Sequence, residues 1–221
     1  MIWAIFTKDI VFNYISIVDK TNYRINYHYP SKLRFNIKGR ILCLAIGAAT
    51  FLIAYSIGAA VDLGSVNAEN LKRQFAEQIK GIDQIGIFVN NVKIALIMFF
   101  PLIGIGVGVF SGFSTGLVFS ALAQNSPLSN VPPLVILITP FGIMEVFAYG
   151  LAISRSGLLI YHLIKLMCRL VKKGPWREYI IPVLIKTGVE IGIVIVILLA
   201  GAIIEWHMIS HIGRSNTLPN I

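Results

Sequence analysis

Lys93, Glu145, Arg155, Lys186, Glu190 and Glu205 all lie in or beside long apolar runs. A charge in the middle of a membrane costs several kcal/mol unless it is paired or hydrated, so these are the first places to look for chemistry. Lys186 and Glu190 are four residues apart and can neutralise one another on one helix face, either as a structural pair or as part of a transport path. Glu145 follows Pro140 closely. There the backbone groups freed by the proline, together with a carboxylate, suit an ion or proton site, while a hydrogen bond tying the helix to its neighbour accounts for the same residues. His207 and His211 have a spacing that could bring two imidazoles to one metal. HEXXH is absent and no third ligand stands out, so they read as interfacial histidines beside Trp206, and no metal is expected. The two cysteines, Cys43 and Cys168, support neither a disulfide framework nor a thiolate cage. No GxSxG elbow, paired acidic cluster or Ser, His and acid arrangement is present in a plausible aqueous setting. The expectation is a non-enzymatic protein without a cofactor.

The elements that must position these residues are membrane spans. A chain of 221 residues that is 56% apolar and 13% charged, with mean hydropathy +0.78, has more apolar surface than a soluble core can hide. The net charge of +9 gathers in two blocks flanking apolar runs, which points to the anionic inner leaflet rather than to nucleic acid. Residues 1–40 carry seven bases against two acids, and the N-terminus offers no secretory cleavage pattern, so this segment is expected to stay in the mature protein and in the cytoplasm. Ile2, Ile5, Phe6, Ile10 and Tyr14 share a helical face suited to the membrane surface. The run from Ile41 to Val61 holds no charge and is about 30 Å long as a helix, a first span. In the outer loop that follows, Leu71, Phe75, Ile79, Ile82 and Gly86 recur at helical spacing behind a cap at Asn67.

From Phe88 to Gln124 the chain is almost continuously apolar, too long for one span, and the fold-back is expected near Ser111–Thr115. The segment after it, residues 112–124, is short enough to be re-entrant rather than spanning. Gly104, Gly108, Gly112 and Gly116 recur every four residues with Gly106 between the first two, a surface on which two helix backbones can approach closely. The spacing is not that of a phosphate-binding glycine loop. Leu134 to Arg155 makes a further span, in which Pro140 should introduce a kink or separate two half-helices. A basic helix follows to Lys173, and Tyr179 to Ile204 crosses last with Val194 facing lipid. The expected fold is an all-α polytopic bundle of about five spans. Residues 1–40 form a cytoplasmic segment, 41–208 the membrane domain in the cell membrane, and 209–221 an extracytoplasmic tail.

Asn90 and Asn91, the glycine-rich turn up to Ala123, the run from Thr139 to Glu145, and Ala202–Glu205 together resemble the stage II sporulation protein M family over about residues 41–208. By motif match the resemblance carries over Asn90, Asn91, Pro140, Gly142, Glu145 and Glu205, while Phe141 stands where the family commonly has histidine. It implies a small multi-pass membrane protein acting with partners, and the absent imidazole weakens any proton relay. Two functions stay open. One is an assembly or scaffold subunit that contacts other membrane proteins or a second copy of itself; the other is a permease or channel built around Glu145, Pro140, Lys186 and Glu190.

Overall fold

A computed structural model describes residues 37–79, 83–123, 133–171 and 175–215, and every regular element among them is helical. Helix α1 spans Ile37–Ala59, α2 Gly64–Ile79, α3 Gln84–Met98 and α4 Ile103–Ala123. A 3-10 helix, Pro133–Ile138, leads into α5, Pro140–Val171, and α6 covers Trp176–Ser215. Four stretches are long and apolar enough to cross a membrane: Lys38–Ala59, Ile103–Ala123, Pro140–Val171 and Trp176–Met208. The apolar helix α3 is shorter, at 15 residues. Ile41, Ile46, Ile53 and Ile57 on α1 and Ile193, Val196, Leu199 and Ile203 on α6 form exposed apolar stripes of the kind lipid covers. These are the helices of a membrane-embedded protein.

Close backbone approach sets the arrangement. A Cβ on Gly112 would lie 2.8 Å from the Phe51 carbonyl oxygen, and one on Gly116 would run into the carbonyl of Tyr55. The pairings rise together in sequence, so α1 and α4 run in the same direction. Gly47 lies against Gly150 while Arg40 reaches Ser154, so α5 runs against α1. Asn91 meets Glu145 and the Phe100 carbonyl accepts from Ser156, so α3 is parallel to α5. Arg155 meets Glu190 and His162 meets Tyr179, so α6 is antiparallel to α5. The core between them holds Phe51, Ala95, Met98, Tyr149, Ala152, Val194 and Leu198.

Four features differ from the sequence expectation. The fold-back falls at Phe99–Leu102, not at Ser111–Thr115. Pro101 cannot donate a backbone hydrogen bond, and Leu102 takes a left-handed φ of 73°, which together end α3 and restart the chain. Ser111 and Thr115 stay inside α4, where the Thr115 hydroxyl donates to the Ser111 carbonyl at 2.8 Å instead of breaking the helix. The short segment is therefore α3, and residues 112–123 belong to a helix of 21 residues. Pro140 does not kink a span; of the two expectations, the separation is the nearer, since the 3-10 helix ends at Ile138 and α5 begins at Pro140. It is the first residue of α5, where its missing N–H costs nothing and its fixed φ suits the first turn, and Thr139 Oγ1 accepts from Gly142 N at 3.2 Å. Asn67 is not the cap of α2, since that helix starts at Gly64 and the Asn67 amide donates to the Leu63 carbonyl. Gly86 belongs to α3, whose cap is Asp83, accepting from Gly86 N at 2.8 Å. The amphipathic face expected over residues 2–14 lies outside the described residues, as does the tail beyond 215.

Candidate functional site

Glu190 is the charge centre of the bundle, with salt bridges to Arg40 and Arg155. Arg40 holds the carboxylate with a two-pronged fork, Nε to Oε1 at 2.7 Å and Nη2 to Oε2 at 2.5 Å. Arg155 grips it from the other side, Nε to Oε2 at 2.8 Å with Nη2 also donating to Oε1. Arg40 further donates to Ser154 Oγ at 2.7 Å and to the Leu151 carbonyl at 3.0 Å. Side-chain exposure is 19% for Arg40, 5% for Arg155 and 7% for Glu190, so the cluster is largely out of water. A lysine one turn away offers a single point charge, whereas two planar guanidiniums match both carboxylate oxygens at once. The cluster therefore ties α1, α5 and α6 at one level, with two cations to one anion.

The second polar group lies nearer the other end of α5. Asn91 Nδ2 donates to Glu145 Oε1 at 2.6 Å, joining α3 to α5. Glu205 on α6 acts on the charge of Glu145, and Tyr149, one turn along α5, lies in the field of both carboxylates. Gly201 against Met144 gives the close approach of α6 to α5 at this level. The structure thus brings Asn91, Glu145 and Glu205 together. Asn90 faces outward on α3, and Pro140 and Gly142 serve the first turn of α5.

All four ladder glycines are buried, and the ladder serves three neighbours, α1, α3 and α5. Gly112 and Gly116 face α1, Gly108 faces the Ile153 side chain, and Gly104 faces the Met98 carbonyl and Ser156. Gly106 has open space around its Cβ position. Gly47 and Gly58 on α1 and Gly150 on α5 complete the close contacts. Small residues at Gly47, Ala54 and Gly58 were the available signal for that partner face. Val194 is not lipid-facing; it is 1% exposed, because α6 turns that face to the core while Val196 points outward.

Beyond the Arg155 level, α5 and α6 continue as a paired hairpin. His162 Nδ1 lies 2.7 Å from the Tyr179 hydroxyl, the Arg169 guanidinium stands 4.4 Å over the Tyr179 ring, and Lys165 Nζ stands 4.8 Å over the Tyr161 ring. The Tyr161 hydroxyl is sealed from solvent with no hydrogen-bond partner among the described residues. His207 is exposed near the far end of α6, and no group of three or more metal-binding side chains assembles among the described residues. Comparisons of the chain with protein-family models, with curated proteins and with solved structures found no match.

Proposed function

We propose that this protein is a non-enzymatic assembly or scaffold subunit of a membrane complex, acting with other membrane proteins or with a second copy of itself. The observation that carries the reading is the use made of Glu190: both of its oxygens are occupied by guanidiniums of two other helices, so a largely buried acid fastens α1, α5 and α6 to one another. Glycine contacts between α1, α4 and α5 fit the same purpose, a stiff frame whose outer apolar faces meet lipid or partners. The reading includes five passes, with α3 as the short one. Its N-terminal side lies in the cytoplasm beside the basic hairpin end of α5 and α6, and the end of α6 lies outside. The resemblance to the stage II sporulation protein M family, a set of multi-pass proteins that act with partners, agrees with it.

A permease or channel is the second reading. It is favoured by Glu145 and Glu205, two carboxylates within each other's field on adjoining helices. Glu145→Gln separates the two, because it keeps the shape and much of the hydrogen bonding to Asn91 but removes the charge. A scaffold assembles with Glu145→Gln and loses partners with Glu145→Ala, which leaves the Asn91 amide unpaired at about 1–3 kcal/mol. The measurement is recovery of the complex in mild detergent, alongside solute flux in reconstituted vesicles. Normal assembly of both variants with flux lost in both would replace the scaffold by the permease.

A further inference from the structure

Helix α3 turns one polar face away from the bundle. Val89, Asn90, Lys93, Leu96 and Ile97 recur at spacings of three and four, and all of them are exposed. The opposite face is sealed, with Ala95 and Met98 buried and Asn91 turned to Glu145. Register with the longer helices gives the depth of the outer face. Asn91 meets Glu145 and Phe100 meets Ser156, so Lys93 stands level with Phe147–Tyr149 of α5. Gly150 in turn faces Gly47, which puts Lys93 at the height of the middle of the span Lys38–Ala59. That level is about 15 Å from either end of the span, farther than a lysine stem reaches. Neither Lys93 nor Asn90 has a salt bridge or a side-chain hydrogen bond among the described residues. Lipid tails offer an ammonium and an amide nothing at that depth, and charged groups in spans are held by a partner.

We propose that the outer face of α3 is an interaction surface for a membrane-spanning helix of another protein that carries a carboxylate at mid-membrane. Lys93 pairs with that carboxylate, and Asn90, one turn nearer the start of α3, adds a hydrogen bond. The inference rests on α3 lying in the membrane and deepens the scaffold reading by giving the chemistry of one partner. Charge complementarity selects the occupant. A second copy docked α3 to α3 would set Lys93 against Lys93, and the acids of this chain are elsewhere: Glu190 is held by two arginines and Glu145 by Asn91. Glu205, given the contact of Gly201 with Met144, lies level with Pro140, about 12 Å along the axis from Lys93. Val89, Leu96 and Ile97 surround the ammonium with apolar surface, so the pair forms out of water. Much of the cost of dehydrating Lys93 is already incurred in the unpartnered protein, which leaves the attraction to act.

The test uses the full-length protein in phosphatidylcholine vesicles, with a donor dye on Cys168 and leucine-rich spanning peptides that carry an acceptor dye. The peptides differ only at their central residue, which is glutamate, leucine or lysine. Energy transfer should saturate with the glutamate peptide at dilutions where the leucine peptide shows only random proximity. Lys93→Met should fold with Tm unchanged or raised and weaken capture of the glutamate peptide roughly tenfold. Lys93→Glu should lose the glutamate peptide and gain the lysine one. Equal transfer from glutamate and leucine peptides, wild-type capture by Lys93→Met, or no gain for lysine with Lys93→Glu would overturn the proposal. A Lys93→Met protein that fails to fold would overturn it as well, by assigning the ammonium to the protein's own packing. Recovery of the native complex separates this inference from the reading it rests on. A complex lost with folded Lys93→Met supports both, whereas one kept with Lys93→Met and lost with Glu145→Ala leaves the scaffold and removes the α3 surface.

Discussion

Glu190 is one carboxylate shared by two guanidiniums, and that stoichiometry ranks the substitutions around it. Glu190→Ala leaves two poorly hydrated cations facing each other and should cost about 3–5 kcal/mol. Arg40→Gln leaves Arg155 and Glu190 as a neutral pair and, with Arg40 the more exposed of the two arginines, should cost clearly less. Arg155→Gln falls between, because Arg155 is the more deeply placed cation. Unfolding of the three variants in detergent, by heat or by titration with a denaturing surfactant, gives the order directly. Equal losses in Glu190→Ala and Arg40→Gln would refute the charge count. The sequence pointed to Glu190 as a buried ionisable group with Lys186 at a spacing of four, yet nothing in that spacing revealed its two arginine partners. Arg40 and Arg155 are 150 and 35 residues away in the chain, and only the antiparallel packing of α5 against α1 and α6 brings them together.

Among the helices, the nature of the atom that faces each glycine decides what a side chain would do. At Gly47 and Gly116 the obstacle is a backbone carbonyl, of Gly150 and Tyr55, which cannot move without displacing a helix. At Gly108 it is the end of the Ile153 side chain, which can turn aside. Gly116→Ala and Gly47→Ala should therefore lose about 1–3 kcal/mol through overpacking, and Gly108→Ala less. Gly106→Ala, in open space, should be neutral or gain up to about 1 kcal/mol from helix propensity. Val196→Leu, on the outer face, should change little. Thermal stability after extraction checks the series, and a Gly116→Ala protein as stable as Gly106→Ala would remove the argument. The ladder itself was legible from its period. The position of the fold-back was not, because Ser111 and Thr115 resemble turn residues in sequence but satisfy helix carbonyls inside an apolar bundle. Pro101 carried the better signal, since a missing N–H matters more where no water can replace it. Pro140 was noticed, but Thr139 before it, a capping residue, marks a helix start rather than a kink.

For the molecule as a whole, the alternation of α1, α3, α4, α5 and α6 puts α2 at the opposite end from the α5–α6 hairpin. Cys168 is exposed on that hairpin and reports its side without engineering. A membrane-impermeant maleimide applied to intact cells should label Arg73→Cys on α2 and leave Cys168 unlabelled until the cells are opened. Labelling of both positions in intact cells would exclude the five-pass orientation. The four long apolar helices were legible in sequence as membrane segments, because hydrophobic length is read without tertiary contacts, while the five passes and their orientation are the reading that the labelling tests. What they could not give is which helices touch, since α1 and α4 are parallel neighbours separated by two intervening elements.

Helix α3, at 15 residues, extends about 22 Å, while its neighbours are built for a hydrocarbon layer of about 30 Å. Lys93 stands exposed within it, and in a five-pass arrangement its ammonium would draw headgroups and water toward the centre. In the five-pass arrangement the leaflets beside α3 are pinched, and the resulting dent has an elastic cost of a fraction of a kcal/mol for each Å of compression. Two such dents cost less when they merge than when they stand apart. If α3 crosses as the proposed fifth pass, copies of this protein, or unrelated proteins with an equally short helix, would be drawn together by the deformed lipid before any side chains meet.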